Sequence, residues 1–363
     1  MPPAADRPLR IRFVHTRFPH WGGRSGYVHL IEHLDRQRFQ VTLHSASDSH
    51  ADLPLWLSPF RPALRRRIRG RMPWYKLSDL NAEMKAFTAC IPGRHDIVHF
   101  LDGEHAPQFL PAWLAHARRR HSVKLVATYH QPPGLLQDMV DPRVVRSLDH
   151  VLLVSPSQRG FFERLLPPER IHVLLHGVDA DFFHPAKAAR PIEPERLRCI
   201  TVGNWLRDWQ IVHEVAARMP EMDFDIVTGR KTGLEALANV RIHKGLDDET
   251  LAALYRQADV LFLPLLDATA NNALLEGMAS GLPVLVTDLS SVRAYLPDGE
   301  AILVPPGGPE GFVAELERLR NAPGERAALG THARTRAKAL AWPRHIAAYE
   351  DLYRAMAAQS VSK

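Results

Sequence analysis

The 363 residues are more than one globular core usually holds, so they predict about two domains and exclude a single small module. Hydrophobic residues make up 45% and charged residues 24%, which is ordinary for a globular chain and excludes wholesale disorder. The formal net charge of +6 favours anionic partners such as phosphates, acidic lipids or nucleic acid.

Neither the cysteines nor the apolar segments point to an exported or membrane-spanning protein. Cys90 and Cys199 form no disulfide framework and have no zinc-ligand spacing. The first residues, MPPAADRPLRIRFVH, contain no apolar stretch of signal-peptide length, and no apolar run approaches the roughly 18 residues of a membrane span. We therefore expect a cytoplasmic protein that at most associates with a membrane on its cytoplasmic face.

Short β-branched runs alternate with amphipathic segments, which is typical of parallel strands joined by helices. In the predicted first domain, residues 1–183, the strands are 9–15, 39–44, 96–100, 123–129, 150–154 and 171–175. Residues 184–196 contain three prolines and no apolar period, and are predicted to be a linker. The alternation restarts in residues 197–340 with strands at 198–202, 223–227, 240–243, 260–263, 283–287 and 301–304.

The fold class that follows is α/β, with two Rossmann-like doubly wound parallel-sheet domains facing a central cleft and helices at the C-terminus. Residues 341–363 form the last helix, a candidate to pack back on the first domain. Because ligands of open parallel sheets bind beyond the carboxyl ends of the strands, the segments that follow strands are where a site is expected.

The segment after the first strand contains adjacent glycines, Gly22 and Gly23, followed by an amphipathic stretch from Tyr27 to Leu34. Such glycines let backbone amides approach a ligand, and the next helix offers its positive end to an anion, so phosphate contact is one interpretation. An ordinary strand-to-helix turn is the other. The G-x-G-x-x-G spacing is absent, which argues against a nicotinamide enzyme.

The strongest local pattern follows the predicted strand 260–263. Asn271 has the residue type of a helix N-cap, and Gly281 with Pro283 ends a short helix. Amides near its start, at Asn272, Leu274 and Leu275, would face an anion such as pyrophosphate.

Glu276 interrupts this otherwise apolar helix. A buried carboxylate needs partners, and the vicinal hydroxyls of a ribose would supply two donors. The structural alternative is a glutamate paired with a neighbouring arginine.

The region 259–306 resembles the nucleotide-sugar-binding region of the retaining, group 1 (family 4) glycosyltransferases of the GT-B fold, which carries two glutamates separated by seven residues. His176-Gly-Val-Asp179-Ala-Asp-Phe182-Phe-His-Pro185 is similar to that family's domain-crossing signature. The two patterns occur in the family's order, with Thr201-Val-Gly203 between them. The resemblance covers residues 150–310 well and the first 150 loosely.

The resemblance implies roles for several residues. Glu276 would bind the nucleotide ribose, while the Gly22-Gly23 loop and the amides near Leu274 would hold the diphosphate. His130, which follows the strand 123–129, would hydrogen-bond the donor sugar near the reacting centre. A capped loop histidine is the alternative for His130.

The sequence departs from the family at two places. The first family glutamate falls on Ala268, so its contact to the donor sugar is missing unless Asp267 or Asn271 replaces it. We therefore take Asn271, with His130, as a candidate catalytic residue.

The family's phosphate-binding Arg and Lys positions are Asn204 and Trp209 here. Arg207, Arg230 and Lys231 are the candidate replacements, and for each one a solvated surface cation is the alternative.

The expected activity is transfer of a sugar from a nucleotide-sugar donor, UDP- or GDP-linked, to a hydroxyl of a glycan, a lipid-linked or a small-molecule acceptor. The resemblance implies retention of configuration. We expect no cofactor or metal, because Asp179-Ala-Asp181 lies in the domain-crossing signature and Asp223-Phe-Asp225 leads a buried strand. The alternative function is a non-catalytic GT-B-like protein that binds nucleotide sugars.

A basic run lies in the first domain. Between Arg61 and Arg71 it contains six arginines among apolar residues. Peripheral contact with an anionic membrane, a phosphorylated acceptor and a solvated loop are the alternatives. Nucleic acid is not an expected partner, because no nucleic-acid-binding motif accompanies the run.

Overall fold

The computed structural model describes residues 8–18, 23–50, 55–68, 72–90, 96–118, 120–186 and 196–358. The chain divides into two compact units. Unit 1 comprises Met1–Trp21, Tyr27–Leu175 and Ile346–Lys363, and unit 2 comprises Gly22–Gly26 and His176–His345. Most of the predicted linker, residues 187–195, lies outside the described residues.

Unit 1 is built on a six-stranded sheet whose strands are all parallel. In chain order the strands are β1 (Leu9–Arg17), β2 (Phe39–Ser47), β3 (Asp96–Phe100), β4 (Val123–Tyr129), β5 (His150–Leu153) and β6 (Ile171–Val173). The strand order in the sheet is β2-β1-β3-β4-β5-β6, with Phe13 opposite both Leu43 and His99. The order reverses between β1 and β3, which makes the carboxyl ends of these two strands the switch point of unit 1.

Seven helices in the described part of unit 1 precede the second sheet. They are α1 (Leu30–His33), α2 (Arg61–Ile68), α3 (Leu77–Ala89), α4 (Leu110–His116), α5 (Pro133–Met139), α6 (Pro142–Ser147) and α7 (Arg159–Phe162). The central strands are buried on both faces, as expected for a parallel sheet covered by helices.

Unit 2 contains a second parallel sheet of six strands. They are β7 (Arg198–Val202), β8 (Asp223–Val227), β9 (Val240–His243), β10 (Val260–Leu263), β11 (Val284–Thr287) and β12 (Ile302–Val304). The order β12-β11-β10-β7-β8-β9 reverses between β7 and β10. The predicted fold class, two doubly wound α/β sheets, is confirmed.

The helices after the first sheet are α8 (Trp209–Arg218), α9 (Asp248–Gln257), α10 (Asn272–Ala279), α11 (Ser290–Tyr295), α12 (Glu310–Asn321), α13 (Pro323–Ala339) and α14 (Trp342–Ala358). The last helix, α14, begins in unit 2 and continues into unit 1 at Ile346. There the Tyr353 hydroxyl lies 2.7 Å from Nδ1 of buried His99, and Glu350 accepts a hydrogen bond from the Asp35 amide. Among the described residues, no helix has both the length and the apolar composition needed to cross a membrane.

Helix α13 packs closely against the turn that ends α10. Gly281 in this turn has a φ of +75°, a left-handed conformation that favours glycine. Gly330 of α13 faces the carbonyl of Gly281, and a Cβ at Gly330 would overlap with that oxygen. This close approach fixes the C-terminal end of α10.

We expect Gly330→Ala to lower the free energy of unfolding by about 1–3 kcal/mol, because the backbone carbonyl of Gly281 cannot move aside cheaply. Gly324, in the first turn of the same helix, has open space where a Cβ would lie. Gly324→Ala is the matched control, expected to be neutral or to stabilise by up to about 1 kcal/mol. Urea unfolding of the full chain measures both, and equal stability of the two variants would contradict the packing argument.

Candidate functional site

The switch point of unit 2 lies at the carboxyl ends of β7 and β10. The segments that follow these strands pair through an antiparallel bridge between Arg207 and Leu265. The Leu266 amide also donates to the carbonyl of Leu206 at 3.0 Å. The two segments therefore form one structural element from which α10 begins.

Helix α10 starts where its N-cap residue predicts. The Asn271 side chain accepts a hydrogen bond from the Leu274 amide at 3.3 Å, and its main-chain carbonyl accepts from Leu275 at 3.1 Å. The first amides of a helix have no intrahelical acceptor and carry the positive end of its dipole. Asn272 and Ala273, in the first turn, thus offer amides suited to an anion.

Glu276 lies one turn into α10 and is 4% exposed. The Tyr255 hydroxyl donates to its Oε2 at 2.9 Å, and the Ser25 hydroxyl donates to its Oε1 at 2.5 Å. Burial raises the pKa of this carboxyl group, and the two hydrogen bonds oppose that rise. Both bonds come from hydroxyl groups, the chemistry that a ribose offers.

The loop of residues 23–26 already contacts a carboxylate in this structure. The amides of Gly23 and Arg24 both donate to Oδ2 of Asp248, at 2.6 and 3.0 Å. The Arg24 guanidinium lies 3.6 Å from Asp179 and stacks over the Phe182 ring. Two consecutive amides on one anionic oxygen show that this loop can bind an anion. Gly22 lies outside the described residues.

One small pocket of unit 2 brings these groups together. Its wall combines the 23–26 loop, the domain-crossing signature that begins at His176, and one face of α10. The lining residues are Arg24, Ser25, Gly26, His176, Gly177, Val178, Asp179, Phe183, Asn272, Leu275, Glu276 and Trp342.

The Arg207 guanidinium donates hydrogen bonds to main-chain and side-chain oxygens of nearby residues in unit 2. Its Nε and Nη2 donate to the Val202 carbonyl at 2.9 and 2.6 Å, and Nη1 donates to the Trp205 carbonyl. Nη2 also lies 3.2 Å from Oδ1 of Asn271. Gly203, with a φ of +126°, leaves the space that the guanidinium fills. Burial lowers the pKa of Arg207 to about 10, and the side chain positions Asn271 at the start of α10.

The other two candidate cations follow β8, next to β7 in the sheet. Arg230 donates from Nε to the Asn204 carbonyl at 3.1 Å, and Lys231 is exposed. The Asn204 side chain accepts bonds from the Thr228 hydroxyl and the Gly229 amide. Asn204, which occupies one of the family's phosphate-binding positions, therefore links the segments that follow β7 and β8.

Ala268 and the neighbouring Asp267 interact with each other. Ala268 is buried, and the Asp267 carboxylate accepts a bond from the Ala268 amide at 2.7 Å. The position of the missing family glutamate thus carries a buried methyl group, and the neighbouring carboxylate binds a main-chain amide.

His130 belongs to unit 1, at the carboxyl end of β4. Its Nε2 lies 2.6 Å from the Leu101 carbonyl, and its amide donates to Glu104. These are the contacts of a histidine held by its loop. A role of His130 toward the donor sugar stays a prediction.

Three of the four Asp-x-Asp carboxylates have partners within unit 2, and the fourth, Asp181, is exposed. Asp179 caps the Phe182 amide, Asp223 pairs with Arg196, and Asp225 contacts His243 at 2.7 Å. In the part of the chain that the structure describes, no group of three or more His, Cys, Asp or Glu residues is arranged to hold a metal ion.

Three contact residues carry no distinguishing pattern in the sequence. Ser25 lies within the glycine segment, but nothing in the sequence sets it apart from its neighbours. Tyr255 looks like an ordinary buried aromatic of α9, and Asp248 looks like an acidic residue in the first turn of a helix. Their contacts with Glu276 and with the loop arise only from tertiary structure.

Comparison with known proteins adds independent findings. The family model described as Glycosyltransferase Family 4 matches residues 22–182, and the one described as Glycosyl transferases group 1 matches residues 204–322. The D-inositol 3-phosphate glycosyltransferase of Xylanimonas cellulosilytica is 27% identical over 92% of this chain and 91% of its own. The enzyme of the same name from Kribbella flavida is 26% identical over 99% of both chains.

Solved structures share the fold. Sucrose-phosphate synthase from Thermosynechococcus elongatus aligns with a TM-score of 0.73 and 18% identity, covering 97% of this chain and 100% of that one. HepE of Anabaena, in complex with UDP, aligns with a TM-score of 0.65 and 13% identity over 96% of this chain and 100% of its own.

The two family matches cover every strand of the two sheets except the first of each, β1 and β7, and relatives that match along most of their length are glycosyltransferases. The predicted resemblance is thus confirmed. The chain is a glycosyltransferase and belongs to the group 1 family of the GT-B fold.

Proposed function

We propose that this glycosyltransferase moves a sugar from a nucleoside-diphosphate sugar to a hydroxyl acceptor, with retention of anomeric configuration and without a metal ion. The observation that carries the proposal is the buried carboxylate of Glu276, hydrogen-bonded by two hydroxyls beside the amino end of α10. A ribose hydroxyl would take the place of Ser25 on Oε1. Tyr255 would keep Oε2 in position.

The diphosphate of the donor would bind next to the ribose. The first turn of α10 offers amides and the positive end of a helix dipole. The amides of Gly23 and Arg24, which now bind Asp248, would be available to a phosphate oxygen once that carboxylate moves away. Leu274 and Leu275 already donate to Asn271, so Asn272 and Ala273 are the residues of α10 that we assign to the phosphate.

These groups would act where charge develops in the reaction. Glycosyl transfer builds negative charge on the departing diphosphate, and preorganised amides and cations stabilise such charge. Arg230 and Lys231, which are exposed after β8 and next to β7 in the sheet, would supply positive charge, and Arg207 would act by positioning Asn271. The existing partners of Asp179, Asp223 and Asp225 support a metal-independent reaction.

We propose front-face attack for the chemical step. The acceptor oxygen forms a bond to the anomeric carbon on the side from which the diphosphate departs, and a phosphate oxygen accepts the acceptor proton. The family's retaining chemistry supports this course, as does the buried, uncharged Ala268 at the position where the family carries a glutamate. His130 would hydrogen-bond the sugar hydroxyls.

The relatives indicate which substrates to test first. The HepE structure contains UDP, which supports a UDP-linked donor, with GDP-linked sugars next. The curated relatives are named for D-inositol 3-phosphate, which makes a polyol phosphate the first acceptor to test and lipid-linked and glycan hydroxyls the next.

We expect a panel of UDP-, GDP- and ADP-sugars with these acceptors to give turnover with one nucleotide class, detected as released nucleoside diphosphate by mass spectrometry. The rate should persist in excess EDTA, and NMR of the product should show the anomeric configuration of the donor. Nucleotide binding without transfer or hydrolysis of any donor would favour the non-catalytic alternative. An inverted product would exclude front-face attack.

Replacing Glu276 with Gln should weaken binding of the matching nucleoside diphosphate about ten- to hundredfold, because hydrogen bonds to charged groups contribute about 1.5–3 kcal/mol. Isothermal titration calorimetry measures this affinity. Glu235→Gln removes an exposed carboxylate from the same unit and is the control, expected to bind like the wild type. Wild-type affinity of the Glu276→Gln variant would remove the ribose assignment.

Replacing Asp248 with Asn should tighten nucleoside-diphosphate binding about three- to tenfold, because a neutral amide competes less well than a carboxylate for the loop amides. Asp247→Asn makes the same charge change one residue away, where the carboxylate caps the Thr250 amide instead. If both variants tighten binding equally, the loss of one negative charge explains the effect, and not the release of the loop amides from Asp248. The proposal that the loop binds phosphate would then lose this support.

A further inference from the structure

Residues 55–60 form a short 3₁₀ turn whose large apolar side chains point into solvent. Leu55 is 91% exposed, Trp56 is 71% exposed and Phe60 is 60% exposed. Scattered exposed apolar residues are normal, but three within six residues form a patch that indicates an interaction surface.

Helix α2 follows this turn directly and carries basic side chains. The arginines at positions 65–67 are exposed. Leu64 and Ile68, four residues apart, share one face of the helix and pack against the core of unit 1. This anchoring holds the turn and the helix as one surface, which we call the 55–68 segment. It contains no acidic residue.

The combination of apolar and basic side chains indicates which kind of partner would bind the 55–68 segment. Trp, Leu and Phe insert at the boundary between headgroups and acyl chains, while Arg side chains are attracted to anionic headgroups. An acidic peptide or a nucleic acid would satisfy the arginines but would leave Leu55 and Trp56 against polar groups. A bilayer with anionic lipids satisfies both kinds of side chain.

We propose that the 55–68 segment docks unit 1 on the surface of an anionic membrane. The segment lies on that surface through its exposed face and stays attached to the protein through Leu64 and Ile68. Docking in this way gives the transferase access to hydroxyl acceptors carried by lipids.

The test uses the full chain and two kinds of vesicle, phosphatidylcholine alone and phosphatidylcholine with phosphatidylglycerol. We expect strong cosedimentation with the anionic vesicles that falls in high salt to the weaker, salt-independent level found with the neutral ones. The triple variant Arg65→Gln, Arg66→Gln, Arg67→Gln should bind anionic vesicles about 100-fold more weakly, since each basic residue near the surface contributes about one kilocalorie per mole.

The control removes three exposed arginines elsewhere in unit 1, through Arg143→Gln, Arg146→Gln and Arg170→Gln. It should bind almost as well as the wild type. An equal loss in both triple variants would show that net charge, not this surface, drives binding and would overturn the proposal. So would failure of the wild type to bind anionic vesicles, or binding of single-stranded RNA in preference to them.

The apolar half of the surface has its own test. Trp56→Ser should remove most of the vesicle binding that persists in high salt, because salt screens the arginines but not the insertion of the indole ring. Leu43→Ser, which removes a partly exposed apolar side chain outside the segment, should leave that binding unchanged. If the Trp56→Ser variant keeps the vesicle binding that persists in high salt, the proposal that this segment inserts into the membrane is wrong.

Discussion

A buried carboxylate organises unit 2. Leaving Glu276 without partners would cost several kcal/mol, so the side chain requires donors on both oxygens. Tyr255 of α9 supplies one and Ser25 of the 23–26 loop supplies the other. This single group therefore ties α9, α10 and the loop together.

The position of that carboxylate depends on how α10 is held at its two ends. At the amino end, Asn271 caps the helix and is itself held by Arg207, which fills the space left by Gly203. At the other end, the Gly281 turn packs on Gly330 of α13. The position of α10 at the switch point thus depends on glycines at close contacts and on the Arg207 guanidinium, which binds main-chain carbonyls. The candidate ligand residues alone do not determine it.

Much of the fold was predictable because parallel strands buried on both faces are continuous apolar runs. The N-cap at Asn271 was predictable too, because capping depends on local sequence. The partners of Glu276 were not, since Tyr255 and Ser25 reach it across long stretches of chain. Arg207 was expected among the phosphate ligands, whereas its observed bonds run to Val202 and Asn271. The basic run was visible in the sequence, but the exposure of Trp56 beside it required the structure.

The most direct measurement is a crystal structure of the protein with the nucleoside diphosphate of its donor. We expect a ribose hydroxyl within hydrogen-bond distance of Oε1 of Glu276, phosphate oxygens at the first turn of α10, and Asp248 released from the loop amides. A nucleotide bound with Ser25 still on Glu276 and Asp248 still on Gly23, or bound at another site, would contradict it.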